Sequence, residues 1–251
     1  MSISGSTILL VGGTSGIGLA SARRLRDAGN RVIIAGRQPR RLAELAASDG
    51  LEGERVDTTD PASILRLRDS VAARAPQLDT LVTMSGIMEP ERVLDPGSLD
   101  VAERTVATNV LGPLRLVHAF LPLLVQQPAA TIITVSSGLA YVPLAATPTY
   151  SASKAAVHSY TEALREQLHG TSVRVLELVP PLTRTGLNGA GTDNDRAMPL
   201  EEFVDEWLGL LAAHPDARQI LVERVKRQRF AVQDGTYDEL LAQQAGRVPV
   251  E

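Results

Sequence analysis

Near the start of the chain an unbroken apolar run, Thr7–Val11 (TILLV), ends directly in the loop Val11-Gly12-Gly13-Thr14-Ser15-Gly16-Ile17-Gly18. A helical pattern follows over Ile17–Ala28 and stops at Gly29. No other stretch narrows the folding options as much. A strand without polar alternation belongs where both faces of a parallel sheet are covered. Glycines behind it let the backbone turn tightly and approach a ligand closely, and the helix N-terminus offers free N–H groups and a favourable dipole to a pyrophosphate. Gly18 allows that helix to pack closely on the sheet. The spacing is G-x-x-x-G-x-G, and its strand–loop–helix setting makes Gly12, Thr14, Ser15, Gly16, Ile17 and Gly18 a dinucleotide-binding candidate.

The same alternation continues along the chain. Further strands are predicted at Arg31–Ala35, Glu54–Val56, Thr80–Met84, Thr131–Val135 and Val173–Leu178, with a seventh at Ile220–Val222. Helices are predicted at Pro39–Ala47 and Pro61–Ala75, over Ser98–Val125 as one long or two abutting segments, and from Pro148 to about His169. Repeated βα units with right-handed crossovers give an α/β fold, a doubly wound, mostly seven-stranded parallel sheet with helices on both faces. With 251 residues, 44% hydrophobic, and no dividing linker or repeat, one domain over residues 1–251 is expected. The net charge of −4 argues against nucleic acid as a partner, and zero cysteines exclude disulfides and thiolate metal sites. The apolar stretch Val110 to Val125 is broken by Arg115, His118 and two prolines, and the N-terminus lacks a charged leader pattern. A cytoplasmic protein without a membrane partner is the default expectation.

Two further places carry chemistry. At the end of the second strand an acid would accept the ribose hydroxyls of NAD; here stands Arg37, with Arg40 and Arg41 behind it. Arginine can pair with a 2′-phosphate, so NADP(H) is favoured over NAD(H), against the alternative of a solvated charge at a helix start. Asp57, just after the third strand, is placed to meet the adenine edge or to cap the next helix, although Thr59 or Asp60 suits capping better. In the stretch Ser136–Lys154, Tyr150 and Lys154 lie one turn apart on one helix face, with Thr147 and Pro148 read as N-cap and N1. An ammonium and a helix N-terminus near a phenol bias it toward phenolate, making Tyr150 a candidate general acid/base.

The two motifs together resemble the short-chain dehydrogenase/reductase family in its single-domain branch, over nearly the whole chain. Gly12, Gly16 and Gly18 fit TGxxxGxG, with Val11 in place of Thr; Asn109 fits the family's helix asparagine; Ser137, Tyr150 and Lys154 fit its serine, tyrosine and lysine. Thr83-Met84-Ser85-Gly86 stands where the family has NNAG, so only the glycine is kept, and close approach to cofactor is expected at Ser85 and Gly86. Pro180-Pro181-Leu182-Thr183-Arg184-Thr185 replaces PGxxxT. Its second proline lacks a backbone donor. That segment, with SSGLAYVPLAATPTYSASKAAVHSYTEALREQL, is similar to the DltE-like oxidoreductases.

The resemblance implies hydride transfer between NADP(H) and a small-molecule carbonyl or alcohol. In that reading Tyr150 moves the proton and Ser137 binds the reacting oxygen. Lys154 binds the nicotinamide ribose and lowers the tyrosine pKa, and Asn109 positions a relay water. Pro180, Thr183 and Thr185 meet the nicotinamide and phosphates. It also implies a homodimer or homotetramer and needs no metal. Competing readings are C=N or C=C chemistry on the same residues, or a non-catalytic NADP sensor. The polar run Gly186–Met198 reads equally as a surface loop or a lid, placing a substrate lid region over 185–215. The polar tail 235–251 is expected either to fray or to dock on another subunit, and the basic run Arg224–Arg229 to form a solvated strand edge or a subunit interface.

Overall fold

A computed structural model describes residues 4–187 and 195–246. Seven strands form one all-parallel sheet: β1 (Thr7–Val11), β2 (Arg31–Gly36), β3 (Glu52–Arg55), β4 (Thr80–Thr83), β5 (Ala130–Val135), β6 (Val173–Val179) and β7 (Gln219–Leu221). Their spatial order is β3-β2-β1-β4-β5-β6-β7, so the chain reverses its direction of travel between β1 and β4. In such sheets the crevice at the carboxyl ends of the strands flanking the reversal receives the ligand. Each predicted strand is present within two residues of its expected ends. The largest shift is at β3, an outer strand of sequence EGER whose polar side chains give the pattern little to hold.

Side chains alternate between the faces as a period of two requires. Ile8 and Leu10 face one core, where they meet Leu19 and Leu25 of α1 (Gly16–Asp27), Leu42 and Leu45 of α2 (Pro39–Asp49), and Phe203, Trp207 and Leu211 of α7 (Leu200–Ala213). Leu9 and Val11 face the other core, against Ile64 and Leu67 of α3 (Pro61–Arg74), Leu116 and Phe120 of α5 (Gly112–Leu124), and Leu164 of α6 (Pro148–Gln167). Both faces are covered, which explains why β1 is apolar at every position.

The predicted long helix is interrupted. α4 (Ser98–Val106) passes through a π turn at Ala107–Leu111 into α5. Pro113 has no N–H to offer the carbonyl of Asn109 four residues back, and at the turn Gly112 donates to Ala107 instead. A π turn of this kind often marks a functional position, and this one carries Asn109. By length and composition the run Ser98–Leu124 could cross a membrane. In this fold Leu116, Val117, Phe120 and Leu124 are instead buried against the sheet.

The C-terminal third differs in its elements from what was expected. The lid region 185–215 contains α7, whose Phe203 and Trp207 are almost completely buried and whose indole donates to Ser21 Oγ at 3.2 Å; that half is core, held by apolar contacts. Of the run Gly186–Met198, residues 188–194 lie outside the described residues. Met198 beyond them is buried and exchanges backbone hydrogen bonds with Leu182 and Arg184. The basic run is not a strand edge but helix α8 (Glu223–Arg229), with Lys226 paired to Glu223 and Arg227 to Glu239. The tail forms α9 (Tyr237–Gln244), which docks on its own chain by burying Leu240 against Val142 and Ala231. Residues 247–251 lie outside the described residues.

Candidate active site

The glycine loop is as tight as its sequence predicts. Gly12 adopts φ +97°, and a Cβ there would lie 2.6 Å from the Ser85 nitrogen. At Gly18 a Cβ would lie 2.1 Å from the Gly12 carbonyl oxygen. The loop is thus clamped between β4 and its own helix. Ser15 is the N-cap of α1 but makes no side-chain capping bond, and the first turn holds no acid. Both features leave the positive end of α1 available to an anion. Beside it, Thr14, Ser15, Arg37, Gln38 and Arg41 line a cleft of about 290 Å³ that contains no acidic side chain. Arg41 reaches the Thr14 carbonyl, and Thr185 packs against Gly16, 3.5 Å from where a Cβ would be. Among the described residues the buried hydroxyls of Thr83 and Ser85, at the end of β4, find no hydrogen-bond partner. An anion-ready helix end, a cationic cleft and unpaired hydroxyls at the crevice fit a phosphorylated dinucleotide.

Asp57 accepts from the Thr59 backbone (2.9 Å) and hydroxyl (2.7 Å), which holds its carboxyl below the usual range. Capping of α3 falls to Asp60, which accepts from Ala62 N at 2.9 Å. Asp57 is thereby free of the capping role and remains at the end of the strand region facing Arg37.

Ser137, at the end of β5, starts a short 3-10 turn over Gly138–Ala140, its Oγ accepting from Leu139 N at 3.2 Å. Tyr150 lies in the first turn of α6 behind Pro148. Thr147 occupies the N-cap position, but its hydroxyl is buried without a partner. Glu91, from the loop after β4, supplies the cap instead. Its carboxylate accepts from Thr149 N (3.0 Å) and Thr149 Oγ1 (2.6 Å), and its own N–H donates to Ala146 O (2.9 Å). A carboxylate at a helix N-terminus also suits the dipole. This residue was missed from sequence because nothing local ties position 91 to position 149.

Packing acts on the Tyr150 phenol in the direction opposite to the neighbouring ammonium and helix end. Burial pushes the Tyr150 phenol up to about 12, and a weaker opposing hydrogen bond with Ser137 only partly offsets it. The same burial draws Lys154 down to about 8. Lys154 Nζ donates to the Val135 carbonyl at 2.9 Å and lies 5.6 Å from the centre of the Tyr150 ring. As it is packed here, the Tyr150 phenol holds its proton more tightly than a free tyrosine would. Asn109, almost fully buried in the π turn, accepts from Ile87 N (2.9 Å) and donates to Ile87 O (2.8 Å) and Ser153 Oγ (3.2 Å). Its amide fixes the chain just beyond Gly86, where a Cβ would come 3.3 Å from Asn109 Oδ1 and 3.9 Å from Lys154 Nζ. At the double proline, the Pro180 carbonyl accepts from Gly138 N (2.9 Å) and that of Pro181 accepts from the Thr183 hydroxyl (3.1 Å). The segment after β6 is thus tied to the turn that follows Ser137.

Residues 6–196 match the family model described as short chain dehydrogenase. The chain belongs to the short-chain dehydrogenase family. It is 37% identical over 249 residues to the uncharacterized oxidoreductase DltE of Bacillus subtilis, covering 97% of this chain and 98% of that one. It is 33% identical to sulfoacetaldehyde reductase 2 of Chromohalobacter salexigens over 198 residues, 76% of this chain and 77% of that protein. Among solved structures, a short chain dehydrogenase from Burkholderia cenocepacia in complex with NADP superposes with a TM-score of 0.82 at 25% identity, covering 97% of this chain and 99% of that one. As a short-chain dehydrogenase this chain is an oxidoreductase, and its fold places the glycine loop after β1 and Ser137 after β5, at the carboxyl ends of interior strands, with Tyr150 and Lys154 on α6 and Asn109 in the π turn.

Proposed function

We propose that this short-chain dehydrogenase is an NADP(H)-dependent carbonyl reductase or alcohol dehydrogenase acting on a small molecule, with Tyr150 as its general acid/base. The observation that carries the reading is the burial of Tyr150 beside Ser137 and Lys154, which brings the phenol, a hydroxyl and an ammonium together out of solvent. When bound, the nicotinamide supplies or accepts the hydride. Everything else falls to the protein. Ser137 donates a hydrogen bond to the substrate oxygen and sets it against Tyr150. Tyr150 gives that oxygen its proton in reduction and removes it in oxidation. Lys154, which donates to the Val135 carbonyl, would hold the ribose hydroxyls and lower the phenol's pKa, and Asn109 holds the Ile87 backbone.

The residues that would hold the cofactor are Gly12, Thr14, Ser15, Gly16, Ile17 and Gly18 for the pyrophosphate and Arg37 for the 2′-phosphate. Asp57 would meet the adenine, and Ser85, Gly86, Pro180, Thr183 and Thr185 the nicotinamide half. The NADP-bound Burkholderia cenocepacia relative and the acid-free cleft at Arg37 support NADP over NAD. A charge-assisted bond of this kind is worth about 1.5–3 kcal/mol. Arg37→Ala is therefore expected to lower kcat/KM for NADPH by about 10- to 100-fold while changing that for NADH by less than ~3-fold. Parallel initial-rate measurements with the two cofactors check it.

A panel of small polar aldehydes, ketones, imines and alcohols, followed through NADPH oxidation and NADP reduction, tests the activity itself. Turnover of carbonyls or alcohols supports the proposal. Cofactor binding without turnover on the panel, or turnover confined to imines, overturns it. The half-exposed apolar side chains Val106 and Leu111 on the α4–α5 run support self-association. Light scattering coupled to size exclusion is expected to give two or four times the chain mass.

A further inference from the structure

Glu177 is a carboxylate with no solvent exposure, on β6 between Thr134 of β5 and Gln219 of β7. An isolated charge there would be strongly unfavourable. Four donors surround it. Oε2 accepts from His158 Nδ1 (2.8 Å) and Gln219 Nε2 (2.6 Å), while Oε1 accepts from the Ser136 and Tyr141 hydroxyls, the latter at 3.3 Å. These donors come from separate pieces of the chain. Ser136 directly precedes Ser137. Tyr141 closes the 3-10 turn after it, its N–H donating to Gly138 O. His158 lies one turn beyond Lys154 and two beyond Tyr150, so the three share the inward face of α6. From α8, Arg229 stacks 4.8 Å over the Tyr141 ring and donates to Gln219 Oε1 at 3.0 Å. Two further charges act on His158: Glu162, one turn further along α6, and Arg229 of α8, which opposes it.

The donors hold the Glu177 carboxyl below its usual range despite burial, and Glu177 holds His158 above the usual imidazole range. A buried ion pair is a poor source of stability compared with apolar residues of the same volume. Its distinctive property is direction, since each bond fixes an angle as well as a distance. Here one carboxylate ties the strand end that carries Ser137 to the helix that carries Tyr150.

We propose that Glu177 and His158, acting through Ser136, are positioning residues that set the separation between Ser137 and Tyr150. The proposal rests on the reading of those two residues as the substrate-oxygen donor and the acid. Neither Glu177 nor His158 touches substrate. Their effect is transmitted through the Ser136–Ser137 peptide and through α6.

The test compares wild type with His158→Ala and His158→Asn, whose side-chain amide can donate from the place of Nδ1. With NADPH and a carbonyl turned over by wild type, His158→Ala should lower kcat by about 10- to 100-fold, since small misplacements of reacting groups are that costly. NADPH affinity should stay within about twofold, and His158→Asn should recover most of kcat. Crystal structures of wild type and His158→Ala read the claim directly, whether or not turnover is found. A changed Ser137–Tyr150 separation supports it. An unchanged separation, an unaltered kcat, or a loss in His158→Asn as large as in His158→Ala overturns it. Tyr150→Phe distinguishes the two failures: if that variant keeps turnover, the acid is wrongly assigned, independently of what the structures show at His158.

Discussion

Tyr150→Phe is expected to lower kcat by about 10²- to 10⁴-fold, the range a positioned general acid supplies. The substitution removes one oxygen and leaves the ring in place. Tyr150 is 6% exposed, so the phenyl group keeps its packing and the fold should be undisturbed. The NADPH dissociation constant should stay within about twofold, because removal of a group that acts in the transition state leaves ground-state binding nearly unchanged. Single-turnover kinetics together with fluorescence titration of NADPH separate the two quantities. A variant that keeps more than about a tenth of wild-type kcat would place the proton donor elsewhere.

Substituting Gly12 should produce the largest structural effect. In Gly12→Ala the new methyl would meet the backbone of Met84 and Ser85 at 2.6–2.8 Å, and neither can move without dislodging β4. The backbone at φ +97° is also one that a side chain rarely adopts. Strain of this sort costs about 1–3 kcal/mol, and overpacking a similar amount. A stability loss of about 3 kcal/mol would lower Tm by roughly 6–12 °C in a domain of this size. NADPH binding should fall below detection, since the loop that must face the pyrophosphate is the part that yields. Thermal melts with and without NADPH check both effects: the cofactor-induced rise in Tm expected of wild type should vanish in the variant.

How much of this could be read from the residues depends on where each signal resides. β1, β2, β5 and β6 were legible because a strand covered on both faces is mostly apolar, and an apolar, β-branched run between turn residues is a local signal. β3 shifted because an outer strand of sequence EGER has little such signal. The motif residues were legible as motifs, and the glycine loop, Ser85-Gly86 and Ser137 follow the interior strands β1, β4 and β5 at their carboxyl ends. The desolvation of Tyr150 was not. Sequence shows the neighbouring ammonium and helix end, but desolvation depends on the depth of packing, and desolvation dominates. α7 was missed although LEEFVDEWLGLL has helical periodicity, because its position after β6 suggested a lid. α8 was hidden by charge, since a helix that buries only Val225 leaves little apolar pattern. His158 and Glu177 did leave traces. The lone acid in VRVLELV is out of place in a buried strand, and His158 continues the Tyr150–Lys154 spacing by one more turn.

The Glu91 cap has a consequence for how such an enzyme can change. The loop after β4 borders the crevice, and loops of this kind are where specificity is usually altered. In this chain the same loop provides the carboxylate that seats the first turn of α6, one residue before Tyr150. On the proposed role of Tyr150, selectivity and proton delivery share a tether. A loop grafted from a relative would import a new substrate preference only if it also brought an acceptor for Thr149; otherwise the graft would shift the very acid it was meant to redirect.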